Sequence, residues 1–246
     1  MRALILDFDG LMVDTEWPAL EAWRVVYARF GATLAVEDWV KCVGSKYGEA
    51  FDPVDHLEAQ VGRRLEREAL IAERGALKAQ AVADAPLMPG VLDRIAEART
   101  LGWAVGVASS SGADWVLGHL DRLNLRAAVD AVRTSDDVER VKPHPDVYLS
   151  AAQGLGVAPV DCVVCEDSLN GVRAARAAGM FAVAVPNRVT ALLDFSEADL
   201  RVVSLTELRL VDRVGSLGLA GSSGSSGSSG TGGTGGTGGT ARFDEG

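Results

Sequence analysis

The chain has 246 residues, 48% of them hydrophobic, and a formal net charge of −10. That apolar content suffices for a sizeable core, and the length suits one large or two small domains. The acidic balance argues against nucleic acid or an anionic membrane as a partner, and no apolar run is long enough to span a bilayer. Met1 to Leu6 runs straight into a strand-like segment with no leader pattern. Three cysteines, an odd number, suit a reducing compartment, so the cytoplasm is the expected location.

The first element is the apolar run Ala3 to Leu6, which delivers Asp7 and Asp9 into a turn at Gly10. Such a run reads as a buried parallel strand. In an open α/β sheet the ligand crevice lies at the carboxyl ends of the strands. Acids two apart on a regular strand share a face, which suits one site for both. Two close carboxylates repel unless a cation or a shared proton intervenes, and a hard divalent ion such as Mg²⁺ prefers oxygen ligands. One acid could then attack while the other manages a proton. Alone, D-x-D-G fits a polar turn after an edge strand equally well.

After Thr15 the pattern turns helical. Trp17 to Phe30, Val36 to Val43, Pro53 to Val61 and Arg64 to Val82 read as helices with no strand between them. The last is rich in Ala, Leu, Glu and Arg, all good helix formers. Segment 16–85 is thus an all-helical insertion, and PLMPG (86–90) marks the return. Within it, VGSKYGE (43–49) joins two helices and offers Ser45, Lys46 and Tyr47 as polar contacts; an exposed connection is the plainer reading. Trp17 and Trp39 read as core.

From there helices and strands alternate. Helix 90–101 precedes strand 103–108, helix 113–123 precedes strand 129–133, helix 145–154 precedes strand 161–165, and helix 169–178 precedes strand 180–185. A last strand near 201–203 and a helix near 206–210 close the core. Alternation of this kind predicts an α/β fold, a doubly wound parallel sheet with helices on both faces. Three of these segments carry chemistry. VGVASSSG (105–112) ends in Ser109, Ser110 and Ser111, which also suit a helix N-cap. VKPHPDVY (141–148) offers Lys142, which alone would read as a solvated loop lysine. DCVVCEDSLNG (161–171) ends in Glu166 and Asp167, favourable also at a helix N-terminus. Cys162 and Cys165, three apart in a strand, point to opposite faces and share neither metal nor disulfide. His56, His119 and His144 show no ligand spacing.

The order D-x-D-G, serine, K-P, E-D, with the phrases DFDGLMVDTE, KPHPDVY and EDSLNG, resembles the haloacid dehalogenase superfamily. It is similar to the subgroup of small phosphatases and phosphoglucomutase-like enzymes that carry a helical cap, from Met1 to about Leu210. The resemblance implies a Rossmann-like core over 1–15 and 86–215 with the inserted cap over 16–85. Asp7 then corresponds to the nucleophile and Asp9 to the general acid/base. Ser109 corresponds to the hydroxyl on a phosphoryl oxygen, and Lys142 to the cation that neutralises the transferring group. Glu166 and Asp167 correspond to the metal-binding acids, with Asp7 and the carbonyl of Asp9 completing the Mg²⁺ shell. Ser45, Lys46 and Ser110 are the candidates for substrate contact.

The activity so implied is Mg²⁺-dependent hydrolysis of a small phosphate monoester, a sugar phosphate or similar metabolite, through an aspartyl-phosphate. The second aspartate favours phosphate over carbon–halogen chemistry. Sugar-phosphate mutases of the subgroup carry a histidine just after D-T-x-E, and DTEWPALEAW has none. Phosphonate cleavage requires a cap lysine that the first cap helix lacks. A non-catalytic binding module on the same fold is disfavoured, because every catalytic position is intact. A small phosphorylated metabolite is the expected partner, with no nucleic acid or membrane, and the expected state is a monomer. Segment 216–246 is set apart: Gly221 to Thr240 contains only Gly, Ser and Thr, a composition that predicts a flexible coil spanning roughly 25 Å. Deleting 217–246 is expected to leave turnover unchanged, as steady-state assays of the truncated chain will show.

Overall fold

The computed structural model describes residues 1–43 and 51–213. Among these residues six strands form one parallel sheet: β1 (Ala3–Leu6), β2 (Ala104–Ala108), β3 (Ala131–Arg133), β4 (Cys162–Glu166), β5 (Phe181–Ala184) and β6 (Leu200–Arg201). Their order is β3-β2-β1-β4-β5-β6. The order reverses between β1 and β4, so the crevice of this doubly wound sheet opens at their carboxyl ends.

β1, β2 and β4 are buried along their whole length, as strands covered on both faces must be. Alternate residues serve alternate layers. Leu4, Leu6, Val105, Val107, Val163 and Cys165 pack with α5 (Val91–Thr100) and α6 (Ala113–Arg122). Ala3, Ile5, Ala104, Cys162 and Val164 pack with α7 (Asp146–Leu155) and α8 (Leu169–Ala177) on the other side. The two β4 cysteines therefore lie in opposite layers as free thiols, and burial pushes both up to about 12.

Among the described residues, four helices come between β1 and α5: α1 (Glu16–Ala28), α2 (Val36–Trp39), α3 (Pro53–Val61) and α4 (Arg67–Val82). They enclose a separate core of Leu20, Trp23, Tyr27, Trp39, Leu57 and Leu70, into which Val189 reaches from the loop after β5. α3 has strong ends. The Asp52 side chain accepts from Val54 N (2.8 Å) and Asp55 N (3.0 Å), and Pro53 opens the helix. Gly62 closes it at φ +71°.

The helix expected from Arg64 starts at Arg67, because Glu58 Oε1 captures the Leu65 N–H at 2.8 Å and holds that turn outside the helix. The helix expected over 36–43 is α-helical only to Trp39 and tightens into a 3₁₀ turn at Val40–Cys42. The helix expected near 206–210 is replaced by 3₁₀ turns at Leu205–Glu207 and Leu210–Arg213. Leu205, Leu208 and Leu210 all enter the core; spacings of three and then two fit no single α-helical stripe. Among the described residues no helix is long and apolar enough to cross a membrane.

Candidate active site

The two central strands end in acids, and Lys142 arrives between them from the loop before α7. Its ammonium donates to Asp7 Oδ1, to Glu166 Oε1 at 2.6 Å and to the Ala108 carbonyl at 3.0 Å, which uses all three donors. Lys142 and Asp7 are each only 5% exposed and Glu166 is fully buried, so charges this deep persist only by pairing. Burial works against the lysine's charge, but Asp7 and Glu166 outweigh it and hold Lys142 protonated far above the usual range.

Glu166 is the most tightly held of the acids. Oε1 also accepts from the Tyr148 hydroxyl, while Oε2 accepts from Ser168 N (3.1 Å) and Ser168 Oγ (3.0 Å). Gly171 leaves room for it: a Cβ there would lie 1.8 Å from Glu166 Oε1. Asp167 completes a trio in which ligand oxygens of Asp7, Glu166 and Asp167 all lie within 4.8 Å of one another. Asn187 Nδ2 donates to Asp167 Oδ2 at 2.7 Å and to the Gly10 carbonyl at 3.3 Å. Gly10 itself sits at φ +83°, and a Cβ there would meet Asp167 Oδ2 at 2.1 Å.

Burial, and then repulsion from Glu166, raises the Asp7 carboxyl well above its ordinary value. Asp167 is raised the same way, by burial and then by Asp7 and Glu166. Three close acids around one lysine carry more negative charge than that lysine balances. All three offer oxygen, so the set fits a hard divalent cation. Within it Asp7 and Asp167 are the better placed to coordinate, since both Glu166 oxygens already accept two hydrogen bonds.

Asp9 stands apart from this trio. β1 stops at Leu6, so Asp7 and Asp9 do not share a strand face as the sequence predicts; the chain turns, with Met12 N donating to Phe8 O at 3.0 Å. Asp7 looks toward Lys142 and Asp9 toward α6. Asp9 Oδ2 accepts from Ser111 Oγ (2.7 Å) and Ser109 Oγ (3.3 Å), and Oδ1 from Trp115 Nε1 (3.0 Å). Lys78 Nζ of α4 lies 3.8 Å from Oδ1. Burial pushes Asp9 up, but Lys78, Ser111 and Trp115 together bring it below the usual carboxylate range. The serines do not cap α6. Its N-cap is Gly112, and the Ala113 N–H is taken by Asp136 Oδ2 at 2.8 Å.

A cavity of about 420 Å³ joins these groups. Asp7, Asp9, Lys142, Asp167, Ser109 and Ser110 line one side, and Glu16, Trp39, Arg74 and Lys78 of the helical insertion line the other. Burial raises Glu16 to about 7, although Lys78 partly offsets it. Ser45, Lys46 and Tyr47 lie outside the described residues.

The family model for haloacid dehalogenase-like hydrolases matches residues 4–185. The chain belongs to this family. It is 41% identical over 210 residues to the proposed phosphatase YhcW of Bacillus subtilis (strain 168), covering 85% of this chain and 94% of that protein. It is 34% identical over 221 residues to Hexitol phosphatase B of Escherichia coli (strain K12), covering 87% and 96%. Among solved structures, β-phosphoglucomutase (pgmB) of Clostridium difficile superposes with a TM-score of 0.69 at 23% identity, over 87% of this chain and 95% of that one; that likeness bears on the fold alone.

In this haloacid dehalogenase-like hydrolase, sequence reasoning finds the residues at strand ends and passes over their supports. Tyr148 stands inside the K-P segment, yet only the fold brings its hydroxyl to Glu166. Trp115, Asn187, Glu16 and Lys78 carry no spacing signal, because each meets its partner across a long stretch of chain: 106 residues separate Trp115 from Asp9 and 20 separate Asn187 from Asp167.

Proposed function

We propose that this hydrolase is a Mg²⁺-dependent phosphatase of small sugar-type phosphate monoesters, working through an aspartyl-phosphate on Asp7. The observation that carries the reading is the buried Lys142–Asp7 pair at the floor of a polar cavity, flanked by Asp167. Phosphoryl transfer asks chiefly for in-line positioning and for positive charge around the transferring group. Lys142 fixes one Asp7 oxygen and leaves the carboxylate aimed at phosphorus. Asp7 attacks; the new oxygen–phosphorus bond forms as the ester bond breaks, and the leaving oxygen takes a proton from Asp9. Asp9 then withdraws a proton from water, which attacks the phosphorus and releases inorganic phosphate and free Asp7. Ser109 and Ser110 hold phosphoryl oxygens. Mg²⁺, held by Asp7, Asp167 and the Asp9 carbonyl with Glu166 behind them, supplies further charge neutralisation when bound.

The helices of 16–85 act as a cap over the cavity, with Ser45 and Lys46 as substrate contacts. A hydroxylated ester suits the polar rim of Glu16, Arg74 and Lys78, and the polyol phosphate in the name of Hexitol phosphatase B points the same way. The test is phosphate release from a panel of sugar and polyol monoesters with Mg²⁺ and with chelator. Release that requires Mg²⁺ is the expected result; no release from any ester by folded protein with Mg²⁺ present would overturn the proposal.

Stability offers a separate check on the metal. The folded state raises the carboxyls of Asp7 and Asp167. Above about pH 4 these groups bind more protons folded than unfolded, so their contribution falls as pH rises through the raised values. In chelator the Tm is expected to drop between about pH 5 and about pH 8, and Mg²⁺ to raise it most at the alkaline end, where the protons it displaces are fewest. Thermal melts at both pH values decide this, and an equal Mg²⁺ increment at each would contradict it.

A further inference from the structure

We propose that Trp115 is a positioning residue for Asp9, its indole N–H setting the orientation in which Asp9 serves the leaving oxygen. The inference rests on the acid/base reading of Asp9. Trp115 lies in the first turn of α6 and donates through Nε1 to Asp9 Oδ1 at 3.0 Å. The ring is itself held. The His119 ring meets it edge-on at 4.4 Å, one turn along the helix, and His119 leans on Phe8 at 5.8 Å, the residue that precedes Asp9. Lys78 of α4 stands over the same indole at 4.8 Å and lies 3.8 Å from the same carboxylate oxygen. One side chain therefore meets the acid through its ring-plane N–H and Lys78 of the insertion on its face.

The four side chains whose hydrogen bonds or ion pairs reach Asp9 oxygens are not equivalent. An indole N–H and an ammonium can only donate, and both meet Oδ1. A serine hydroxyl can donate or accept, and both serines meet Oδ2. A protonated Asp9 is thus accommodated with its proton on Oδ2. When the ester bond breaks, its electron pair stays on the leaving oxygen, and that oxygen takes the Oδ2 proton. Trp115 keeps Oδ1 turned away and so presents Oδ2.

The test separates this role from packing by means of the leaving group. An alkoxide needs the proton as the ester bond breaks, whereas p-nitrophenolate leaves without one. Trp115→Phe keeps an aromatic ring beside Lys78 and His119 but loses the N–H together with part of the indole. It is expected to lower kcat/KM for a sugar or polyol monoester by about tenfold or more, while kcat/KM for p-nitrophenyl phosphate, which covers only the steps up to p-nitrophenolate release and not the later attack of water, stays within about threefold. An equal fall for both esters, or no fall for either, would overturn the proposal. Asp9→Asn serves as the control for the reading beneath it. If that variant retains full activity on the alkyl ester, the acid/base role fails and the proposal fails with it. If Asp9→Asn shows the leaving-group split and Trp115→Phe does not, only the positioning role is lost. Should the Phe variant not fold, Trp115→Gln and Trp115→Leu carry the comparison. Higher alkyl-ester activity in Gln supports the donor, and equal activity overturns it.

Discussion

Asp7→Asn is expected to abolish phosphate release, by on the order of 10⁴-fold or more in kcat, and at the same time to make the metal-free protein harder to unfold at neutral pH. The two effects share one cause. The amide is isosteric but cannot form an acyl phosphate, so the covalent route closes. It also removes one of three crowded charges. Burial and Glu166 both oppose ionisation of Asp7, so the folded state carries that charge at a cost that Lys142 only partly offsets. Asn at this position can still accept from Lys142 through Oδ1, leaving the lysine paired with Glu166 and Ala108 as well. A gain of about 1 kcal/mol in chelator is the expected scale. The Mg²⁺ increment in Tm should shrink, since an amide oxygen is the weaker ligand. Thermal melts with and without Mg²⁺, beside a sensitive phosphate assay, read both effects. A lower Tm than wild type in chelator would mean that the Lys142 pairing outweighs the crowding.

Asp7, Glu166 and Asp167 were legible because buried parallel strands write themselves as apolar runs, and the residues just after such a run must sit at the crevice, whereas Lys142, in a loop, was legible only through the K-P resemblance. β1, β2 and β4 obey that rule to within a residue, and Cys162 and Cys165 fall in opposite layers as period-two geometry requires. The rule fails just beyond the strand end. Asp7 and Asp9 would share a face only if β1 continued, and the turn at Gly10 sends them to different partners. It fails also for supports whose partners are remote in sequence. Asn187 and Trp115 belong to stretches that read as a loop and a helix, and only the closed sheet brings them to Asp167 and Asp9. Trp39 is core, as its composition suggests, but it also lines the cavity. Trp17 is less enclosed: Arg188 lies 3.9 Å above its ring and Arg24 at 5.6 Å. Local pattern gives burial, and it does not say what a buried ring faces.

Lys142→Met should also cost activity, yet with the opposite effect on stability. Methionine preserves the length of the side chain and removes the only cation that meets both Asp7 and Glu166 among the described residues. The phosphoryl group then loses a fixed positive partner, for which a fall of about 10²- to 10³-fold in kcat/KM is the expected scale. Asp7 and Glu166 lose the buried cation that pairs with both, and breaking such a pair from one side costs about 3–5 kcal/mol. Lys142 holds Asp7 and Asp167 down, so without it these two carboxyls rise further. The deficit should therefore be smallest near pH 5 and grow as pH rises, following the same sign as the raised Asp7 and Asp167 in the wild type. Mg²⁺ should recover more Tm in this variant than in the wild type, because it then becomes the principal positive charge in the cluster. It should not recover turnover in proportion, since a cation between Asp7 and Asp167 does not occupy the place from which Lys142 holds Asp7 Oδ1, Glu166 Oε1 and the Ala108 carbonyl together. Measured side by side, Asp7→Asn and Lys142→Met would both lose activity while moving the metal-free Tm in opposite directions. Parallel shifts would mean that the acids are not in electrostatic excess, and the case for a divalent ion at this site would fall with that.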